Sequence, residues 1–323
     1  MVKQKNYAIG IDIGGTTTKF GIVDHRGDTL YRGVIASNKF EKIEPYLDEL
    51  SEALSPAIEE VGGINEIKGI GIGAPNGNYY SGTIEYAPNL KWKGIVPLAK
   101  LVSEKFKLPA ALTNDANAAA VGEMMYGAAK GMKDFIMITL GTGVGSGIVA
   151  NGHLILGHDG FAGELGHTII VPGGRLHWST GHRGSLEAYA SATGVANTAI
   201  EFLEQRPTEK SLLRNIEKEY IDSRVVFDCA LKGDVIAKDV YAFTGKILGE
   251  ALANFVMFSS PEAIILFGGL TKAGDLIMKP TREHMEKNLL PIFQNKVKLI
   301  FSELKEADAA ILGASALVWE MKS

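Results

Sequence analysis

One pattern occurs twice in this chain and constrains its fold more than any other feature: an apolar strand, a glycine-rich loop, a second strand and a tight turn. Residues 7–13 run into the first loop, Asp12–Lys19, which reads Asp-Ile-Gly-Gly-Thr-Thr-Thr-Lys. Residues 135–140 run into the second loop, Gly141–Gly145, which reads Gly-Thr-Gly-Val-Gly. The repeat predicts two similar α/β halves, each of which offers one loop to a shared cleft.

Both loops have the composition of a phosphate-binding site. Glycines let backbone N–H groups converge on an anion, and threonine hydroxyls add further donors. The carboxylate of Asp12, at the end of the first strand, can reach a hydrated Mg²⁺ ion bound to the same phosphates. A plain glycine-rich hairpin explains one loop alone, but two loops can hold different phosphates of one nucleotide. The predicted nucleotide-binding residues are Asp12, Gly14, Gly15, Thr16, Thr17, Lys19, Gly141, Thr142, Gly143, Gly268 and Gly269.

The last two of these glycines, Gly268-Gly269, follow an apolar strand over residues 263–267. A glycine pair lets the backbone approach an adenine or a ribose, although a tight turn explains it almost as well. Two other nucleotide motifs are excluded. A Walker loop needs Gly-Lys-Ser/Thr at the start of a helix, and a dinucleotide fingerprint needs a helix after its glycines, whereas a strand follows each of the two long loops here.

An Asn-Asp pair, Asn114-Asp115, lies between a buried strand predicted over 110–113 and an alanine-rich helix predicted over 116–131. Asn and Asp both cap helices well, but one of them suffices for that task. An aspartate at a strand end that faces a cleft can also accept the proton of an attacking hydroxyl, which phosphoryl transfer requires. We therefore predict that Asp115 is a general base.

Residues 159–187 are rich in glycine and histidine, have little periodicity and are typical of functional loops. Glu164, His167 and Glu187 can hold sugar hydroxyls there, and surface solvation is the alternative for each of them. Five of the seven histidines fall between residues 153 and 182, which raises a metal site as a further alternative. No closely spaced ligand pair accompanies them, so an all-histidine zinc site is disfavoured.

Charge and composition restrict the partners and the compartment. The net charge of -4 gives no reason to expect a nucleic acid or an anionic membrane as a partner. No apolar run is long enough to span a bilayer, and the stretch that follows residues 1–5 is too short and too interrupted by glycine to be expected as the apolar region of a signal peptide. The single cysteine, Cys229, cannot form an internal disulfide. These features predict a cytoplasmic protein.

These motifs resemble those of the ROK family (repressors, uncharacterised frames and kinases) of the actin-like ATPase fold, and most of all its glucokinase branch. The resemblance covers almost the whole chain and rests on residues 12–19, 71–75, 87–92, 113–120, 141–145, 163–167, 181–187 and 268–269. It implies an α/β, ribonuclease H-like fold of two similar lobes around a cleft. The small lobe is expected to comprise residues 1–117 plus 305–323, and the large lobe residues 118–304 with the sugar-binding loops and a helical insert.

The resemblance also implies a chemistry. Asp115 is the base toward the sugar 6-hydroxyl, and the sugar hydroxyls are held by Asn89, Asn114, Glu164, His167 and Glu187. The implied reaction is the ATP- and Mg²⁺-dependent phosphorylation of an aldohexose, with glucose favoured, by a cytoplasmic homodimer that acts in glycolysis. N-acetylmannosamine, N-acetylglucosamine, mannose, fructose and allose stay open as substrates.

Two non-kinase alternatives remain within the family. A sugar-responsive repressor would need a helix-turn-helix before the first strand, which begins near Tyr7, and a basic surface, and the sequence favours neither. A sugar-binding module without catalysis is disfavoured because Asp115 and both glycine loops are present.

One departure from the family pattern concerns zinc. Family members usually carry Cys-x-Cys-Gly-x-x-Gly-Cys-x-Glu, whose three cysteines bind zinc with the histidine of Glu-x-Gly-His. In this chain the three cysteine places hold Trp178, Thr180 and Ser185. We predict that there is no zinc site, and that hydrogen bonds from Thr180 and Ser185, with packing of Trp178, brace the loop instead.

Overall fold

The structure is a computed structural model that describes residues 5–321. Residues 1–4 and 322–323 of the predicted small lobe lie outside this range. The first of these ranges also belongs to the segment considered above as a signal peptide. The strands are β1 Tyr7–Ile13, β2 Thr17–Asp24, β3 Thr29–Ala36, β4 Ile67–Gly73, β5 Gly77–Asn78, β6 Thr83–Glu85, β7 Ile95–Val96, β8 Ala110–Thr113, β9 Phe135–Leu140, β10 Val144–Ala150, β11 His153–Leu154, β12 Ala263–Phe267 and β13 Lys298–Phe301. The helices are α1 Ile43–Glu60, α2 Leu98–Phe106, α3 Asp115–Tyr126, α4 Glu187–Ala190, α5 Ala192–Gln205, α6 Ser223–Leu231, α7 Val235–Ser259, α8 Asp275–Asn288 and α9 Glu306–Glu320.

The two larger sheets have the same strand order. In the first, the order is β3-β2-β1-β4-β8, with β1, β4 and β8 parallel to one another and β2 antiparallel to both of its neighbours. In the second, the order is β11-β10-β9-β12-β13, with β9, β12 and β13 parallel. A small sheet of β5, β6 and β7 accompanies them. The predicted α/β class is confirmed, and the shared strand order agrees with the two similar halves expected from the repeat.

The chain forms two compact units. The first contains the described residues up to Met132, Gly147–Gly163 and the chain from Ser302, and the second contains Lys133–Ser146 and Glu164–Phe301. Residues 118–132 thus belong with the first unit, whereas the sequence-based boundary assigned them to the large lobe. The physical reason is the packing of α3 along α9: a Cβ added to Gly122 would lie 2.8 Å from Gly313 Cα, so the two helix backbones are in contact.

Helix α3 is also shorter than the predicted 116–131, since it ends at Tyr126. A side chain of the helix itself helps to end it. The Glu123 carboxylate accepts a hydrogen bond from the Ala128 N–H at 2.7 Å, and it is also bonded by the Ser302 hydroxyl. A tertiary interaction of this kind leaves no periodic signal in the sequence.

Glycines let α9 lie directly on the first sheet. A Cβ on Gly10 would come within 3.0 Å of Ile311 O, and one on Gly71 within 3.0 Å of Ala314 O. The alternate residues of the same strands, such as Ile9, face the opposite side and pack in the main apolar core with α1. Helix α9 therefore fixes the positions of β1 and β4 in the sheet. The carboxyl end of β1 carries the first glycine loop, and that of β4 carries Gly73.

The second unit has its own core. The long helix α7 packs against α8 through Gly249, where a Cβ would lie within 3.0 Å of Thr281 O. Strand β12 is almost entirely buried, as expected of a parallel strand covered on both faces. Within residues 5–321, no helix is both long enough and apolar enough to cross a membrane.

The contact between α9 and the first sheet can be tested with Gly71→Ala. The added methyl group would overlap Ala314 O, so we expect the free energy of unfolding to fall by roughly 1–3 kcal/mol or more, measured by urea denaturation. Gly269→Ala is the matched control, because a Cβ there would have no atom within 4 Å. Equal losses in the two variants would contradict the packing argument.

Candidate active site

Two aspartates lie at the carboxyl edge of the first sheet. Asp12 is the last residue but one of β1, and Asp115 begins α3 just after β8. Between these strands lies β4, which ends at Gly73, the residue paired with Asp12. A Cβ on Gly73 would lie 3.7 Å from both Asp12 Oδ1 and Asp115 Cα. The parallel sheet therefore brings the predicted metal-binding aspartate and the predicted base to one place.

The helix cap is formed by the neighbouring residue. Asn114 Oδ1 accepts the Asn117 N–H at 2.6 Å, which makes Asn114 the N-cap of α3. Asp115 is exposed, and its Oδ1 accepts the N–H of Ala116 at 2.8 Å. The capping alternative is thus satisfied by Asn114, and Asp115 is available for chemistry.

The electrostatics of the two aspartates are unfavourable without a ligand. Burial, and after it the nearby charge of Asp115, raise the pKa of Asp12 to about 6, against the opposing charge of Lys19, which lies opposite Asp12 in the β1–β2 pair. Desolvation also raises the pKa of Asp115, against the Ala116 hydrogen bond, although the accessible area of Asp115 marks it as exposed. Protein therefore surrounds the Asp115 carboxylate, and solvent still reaches it.

The first glycine loop is a tight turn beside a predicted sugar residue. The Gly14 N–H donates to Thr17 O at 2.9 Å, and the Ser37 hydroxyl donates to Gly14 O at 2.6 Å. A Cβ on Gly15 would lie only 2.8 Å from Asn89 O, so this glycine is required by close approach to Asn89. Side chains of three further predicted residues are exposed along the loop and β2: Thr16, Thr17 and Lys19.

A cavity of about 610 Å³ opens in the second unit at the carboxyl ends of β9 and β12. Loops at these strand ends are the usual ligand sites of parallel sheets. Three predicted nucleotide residues, Gly141, Thr142 and Gly269, line it. Neither Gly141 nor Gly269 has a positive φ, and a Cβ on either would have no atom within 4 Å. Neither backbone conformation nor protein packing demands glycine there, so the space in front of them is suited to a ligand.

At the adjacent position, Gly268, the fold itself requires a glycine. Its φ is +108°, and a Cβ would come 2.5 Å from Leu140 O, so the turn after β12 is pressed against the end of β9. The tight turn therefore explains Gly268, and the approach of a nucleotide to Gly269 stays a prediction. Gly268 makes the turn, and Gly269 faces the cavity.

Sequence analysis missed the other wall of the cavity. This wall is formed by Ser223, Arg224, Phe227 and Asp228 of α6, Tyr241 of α7 and Lys272 after β12. An aromatic ring suits a nucleobase and the two cations suit phosphate oxygens. Their pattern is that of an ordinary amphipathic helix, and only the tertiary packing of α6 reveals that they share a cavity with the second glycine loop.

The predicted sugar carboxylate Glu187 is bound to the second glycine loop. Its Oε2 accepts the Val144 N–H at 2.7 Å, and its Oε1 lies 2.6 Å from His177 Nε2. A Cβ on Gly143 would overlap the Glu187 carboxylate, so glycine is required there by packing. Two other predicted sugar residues of this unit, Glu164 and His167, are exposed, and His167 Nε2 lies 4.0 Å from Glu164 Oε2.

The loop at the family's zinc position is braced differently from the prediction. Ser185 Oγ is buried with no hydrogen-bond partner among the described residues, so the predicted Ser185 bond is wrong. Thr180 Oγ1 accepts a local hydrogen bond from the His182 N–H at 3.3 Å, which does not tie the loop to another segment. Trp178 does pack, since it stacks on the His177 ring with centroids 4.2 Å apart. His177, which the sequence analysis did not single out, is the buried centre of this loop.

The residues of the second unit also include one cluster with the composition of a metal site. Ligand atoms of His167, His177 and Glu187 lie within 4.8 Å of one another. The cluster contains no thiolate, because the only cysteine, Cys229, lies on α6. A site of the three-cysteine type therefore does not fit these residues.

The paired sheets, glycine loops and strand-end aspartates define a protein of the actin-like ATPase fold. The chain belongs to the ROK family, whose model matches residues 8–321. A glucokinase of Halalkalibacterium halodurans is 35% identical over 98% of this chain and 96% of that protein. A xylose repressor of Caldicellulosiruptor bescii is 30% identical over 98% of this chain and 79% of that protein. Among solved structures, a ROK family glucokinase from Streptomyces griseus in complex with glucose and AMPPNP has a TM-score of 0.79 at 32% identity, covering 98% of this chain and 100% of that chain.

The electrostatic cost at Asp12 can be tested by pH-dependent unfolding of the ligand-free protein. Because the folded-state pKa is raised from 3.8 to about 6, the ionised carboxylate destabilises the fold above pH 6, and the penalty vanishes as pH falls below the unfolded value. We expect Asp12→Asn to raise Tm by a few degrees at pH 7.5 and to leave it almost unchanged near pH 4. Asp28→Asn, in an exposed turn, should change Tm little at either pH; a pH-independent gain from Asp12→Asn would contradict the assignment.

Proposed function

We propose that this protein is a glucokinase that transfers the γ-phosphoryl group of ATP to the 6-hydroxyl of glucose. The observation that carries the proposal is the strand-end position of Asp115, next to Asp12 and released from capping by Asn114. The similarity to glucokinases over almost the full length supports the choice of substrate and donor.

Asp115 serves as general base in this proposal. Its carboxylate accepts the proton of the 6-hydroxyl as that oxygen attacks phosphorus, and a raised pKa makes it a better proton acceptor. Phosphoryl transfer otherwise needs positioning and neutralisation of charge. The half-buried Asp12, with only Lys19 opposing its desolvation, is a hard oxygen donor of the kind that fits a hydrated Mg²⁺ ion. That ion would neutralise phosphate charge when it is bound.

The nucleotide is assigned to the glycine loops and the 610 Å³ cavity. The residues proposed to contact it are Asp12, Gly14, Gly15, Thr16, Thr17, Lys19, Gly141, Thr142, Gly143, Gly268 and Gly269. To these we add Phe227 for the base and Arg224 for a phosphate, because both line the cavity.

The sugar is assigned to Asn89, Asn114, Glu164, His167 and Glu187. Asn114 uses its side-chain oxygen as a cap, so its amide group is the part proposed to donate to a hydroxyl. Each oxygen of Glu187 already accepts one hydrogen bond and has a second lone pair for a sugar hydroxyl.

Three further features rest on the family resemblance and are part of the proposal: a cytoplasmic homodimer, a role in glycolysis and catalysis without zinc. The missing thiolates at Trp178, Thr180 and Ser185 support the last. Size-exclusion chromatography with light scattering tests the dimer, and a monomer at micromolar concentration would contradict it.

ADP release across a sugar panel tests the function itself. We expect the highest kcat/KM for glucose among glucose, mannose, fructose, allose, N-acetylglucosamine and N-acetylmannosamine. A higher kcat/KM for an N-acetylated sugar would change the proposed substrate but leave the protein a sugar kinase. The absence of ADP release with every sugar would refute the kinase assignment.

Asp115→Asn tests the base. We expect kcat to fall by roughly 10²–10⁴-fold with little change in the KM for glucose, because the amide keeps the shape but cannot accept the proton. Asp275→Asn is the matched control, since Asp275 is also the first residue of a helix, and its turnover should stay normal. Near-normal turnover in Asp115→Asn would refute the role of Asp115.

Gly269→Val tests the nucleotide cavity. The side chain would enter open space rather than touch protein, so we expect Tm to be unchanged and the KM for ATP to rise by about tenfold, equivalent to about 1.4 kcal/mol of affinity. The KM for glucose is the internal control. An unchanged KM for ATP would remove Gly269 from the proposed site.

A further inference from the structure

We propose that His177 positions the Glu187 carboxylate through a buried hydrogen bond, and that this bond braces the sugar-binding loop without a metal. The proposal rests on the proposed function in one respect, that Glu187 binds the sugar. His177 itself is a positioning residue, because it acts on the sugar through Glu187.

The tautomer of His177 follows from its partners. Its Nδ1 faces two backbone donors, the N–H groups of Ser179 at 3.3 Å and Thr180 at 3.2 Å. A backbone N–H can only donate, so Nδ1 must present a lone pair and the proton of the neutral ring is on Nε2. Nε2–H then donates to Glu187 Oε1, which lies 2.6 Å away. The side chain of His177 is 0% exposed, so water does not compete for this bond.

Glu187 is held from two sides. His177 binds Oε1, and the Val144 N–H binds Oε2 at 2.7 Å. The side chain is only 13% exposed, and its carboxylate occupies the space that a side chain at Gly143 would fill. Removal of one donor would free the carboxylate to rotate, so the orientation of its remaining lone pairs toward a sugar depends on His177.

The same geometry argues against a metal at the cluster of His167, His177 and Glu187. With Nε2 protonated and Nδ1 occupied by two amides, His177 offers no lone pair to an ion. A metal would have to displace both the proton and the Glu187 bond. Both ring nitrogens of His177 are hydrogen-bonded, which is the condition for a polar group to be stable in a protein interior.

Two substitutions test the hydrogen bonds of the two ring nitrogens separately. His177→Asn keeps an acceptor near Nδ1 for the two amides but cannot reach Glu187, whereas His177→Gln places a donor near the former Nε2. We expect His177→Asn to raise the KM for glucose by roughly 10- to 100-fold, the range for a lost hydrogen bond to a charged group, with a smaller effect on the KM for ATP. His177→Gln should recover much of the glucose affinity.

The Tm of each variant shows how much of its effect is merely a loss of stability. Both variants lose the stacking of Trp178 on the ring, so Tm should fall by similar amounts in the two. A wild-type KM for glucose in His177→Asn, or equal losses of glucose affinity in both variants, would overturn the positioning role.

The metal-free brace is tested independently of activity. We expect elemental analysis of the purified protein to find no stoichiometric zinc, and ¹⁵N NMR of the histidine rings to show His177 as the Nε2–H tautomer. One bound metal per chain that is lost in His177→Asn would overturn the proposal and assign the cluster to a metal. Confirmation of the tautomer in a protein that phosphorylates no sugar would refute the kinase function while leaving the brace intact.

Discussion

The contact between the backbone of α9 and the strands β1 and β4 is the constraint on which the first half of the site depends. At Gly10 and Gly71 the strands have no side chain on the helix side, so carbonyl groups of α9 lie against the strand backbones. A packing of this kind is rigid, because any added atom overlaps the helix. The ends of β1, β4 and β8 are therefore fixed in one row, and that row carries Asp12 and Asp115.

The carboxylates of the candidate site fall into two physical classes. Burial raises the pKa of Asp12 and of Asp115, and the nearby charge of Asp115 adds to the effect on Asp12. Glu187 accepts a hydrogen bond at each oxygen. The first class is suited to binding a cation or accepting a proton, because either event removes the electrostatic cost of an ionised, partly desolvated carboxylate. The second class is suited to holding a neutral ligand in a fixed orientation.

The sequence was most informative where structure is local or continuously apolar. The bounds of β1, β8, β9 and β12 were predicted because buried parallel strands are apolar runs bounded by Gly, Pro or Asn. The end of α3 was not, because Glu123 sets it from within the fold. The α6 wall of the cavity and the role of His177 were missed for a related reason. The pattern of a helix does not show which cavity its residues will line, and the sequence does not show which of five histidines will contact Glu187.

The second glycine loop is anchored at both ends by the segment that carries the sugar carboxylate. Its Gly141 O accepts the Ala192 N–H at 2.8 Å, and its Val144 N–H is bound by Glu187. Glu187 begins α4 and Ala192 begins α5, so one short corner of the chain supports both the loop assigned to the nucleotide and the side chain assigned to the sugar. His177 stabilises that corner through its hydrogen bond to Glu187. A zinc ion with thiolate ligands would fix the neighbouring loop, whereas this hydrogen bond acts on the carboxylate itself and, through it, on the glycine loop.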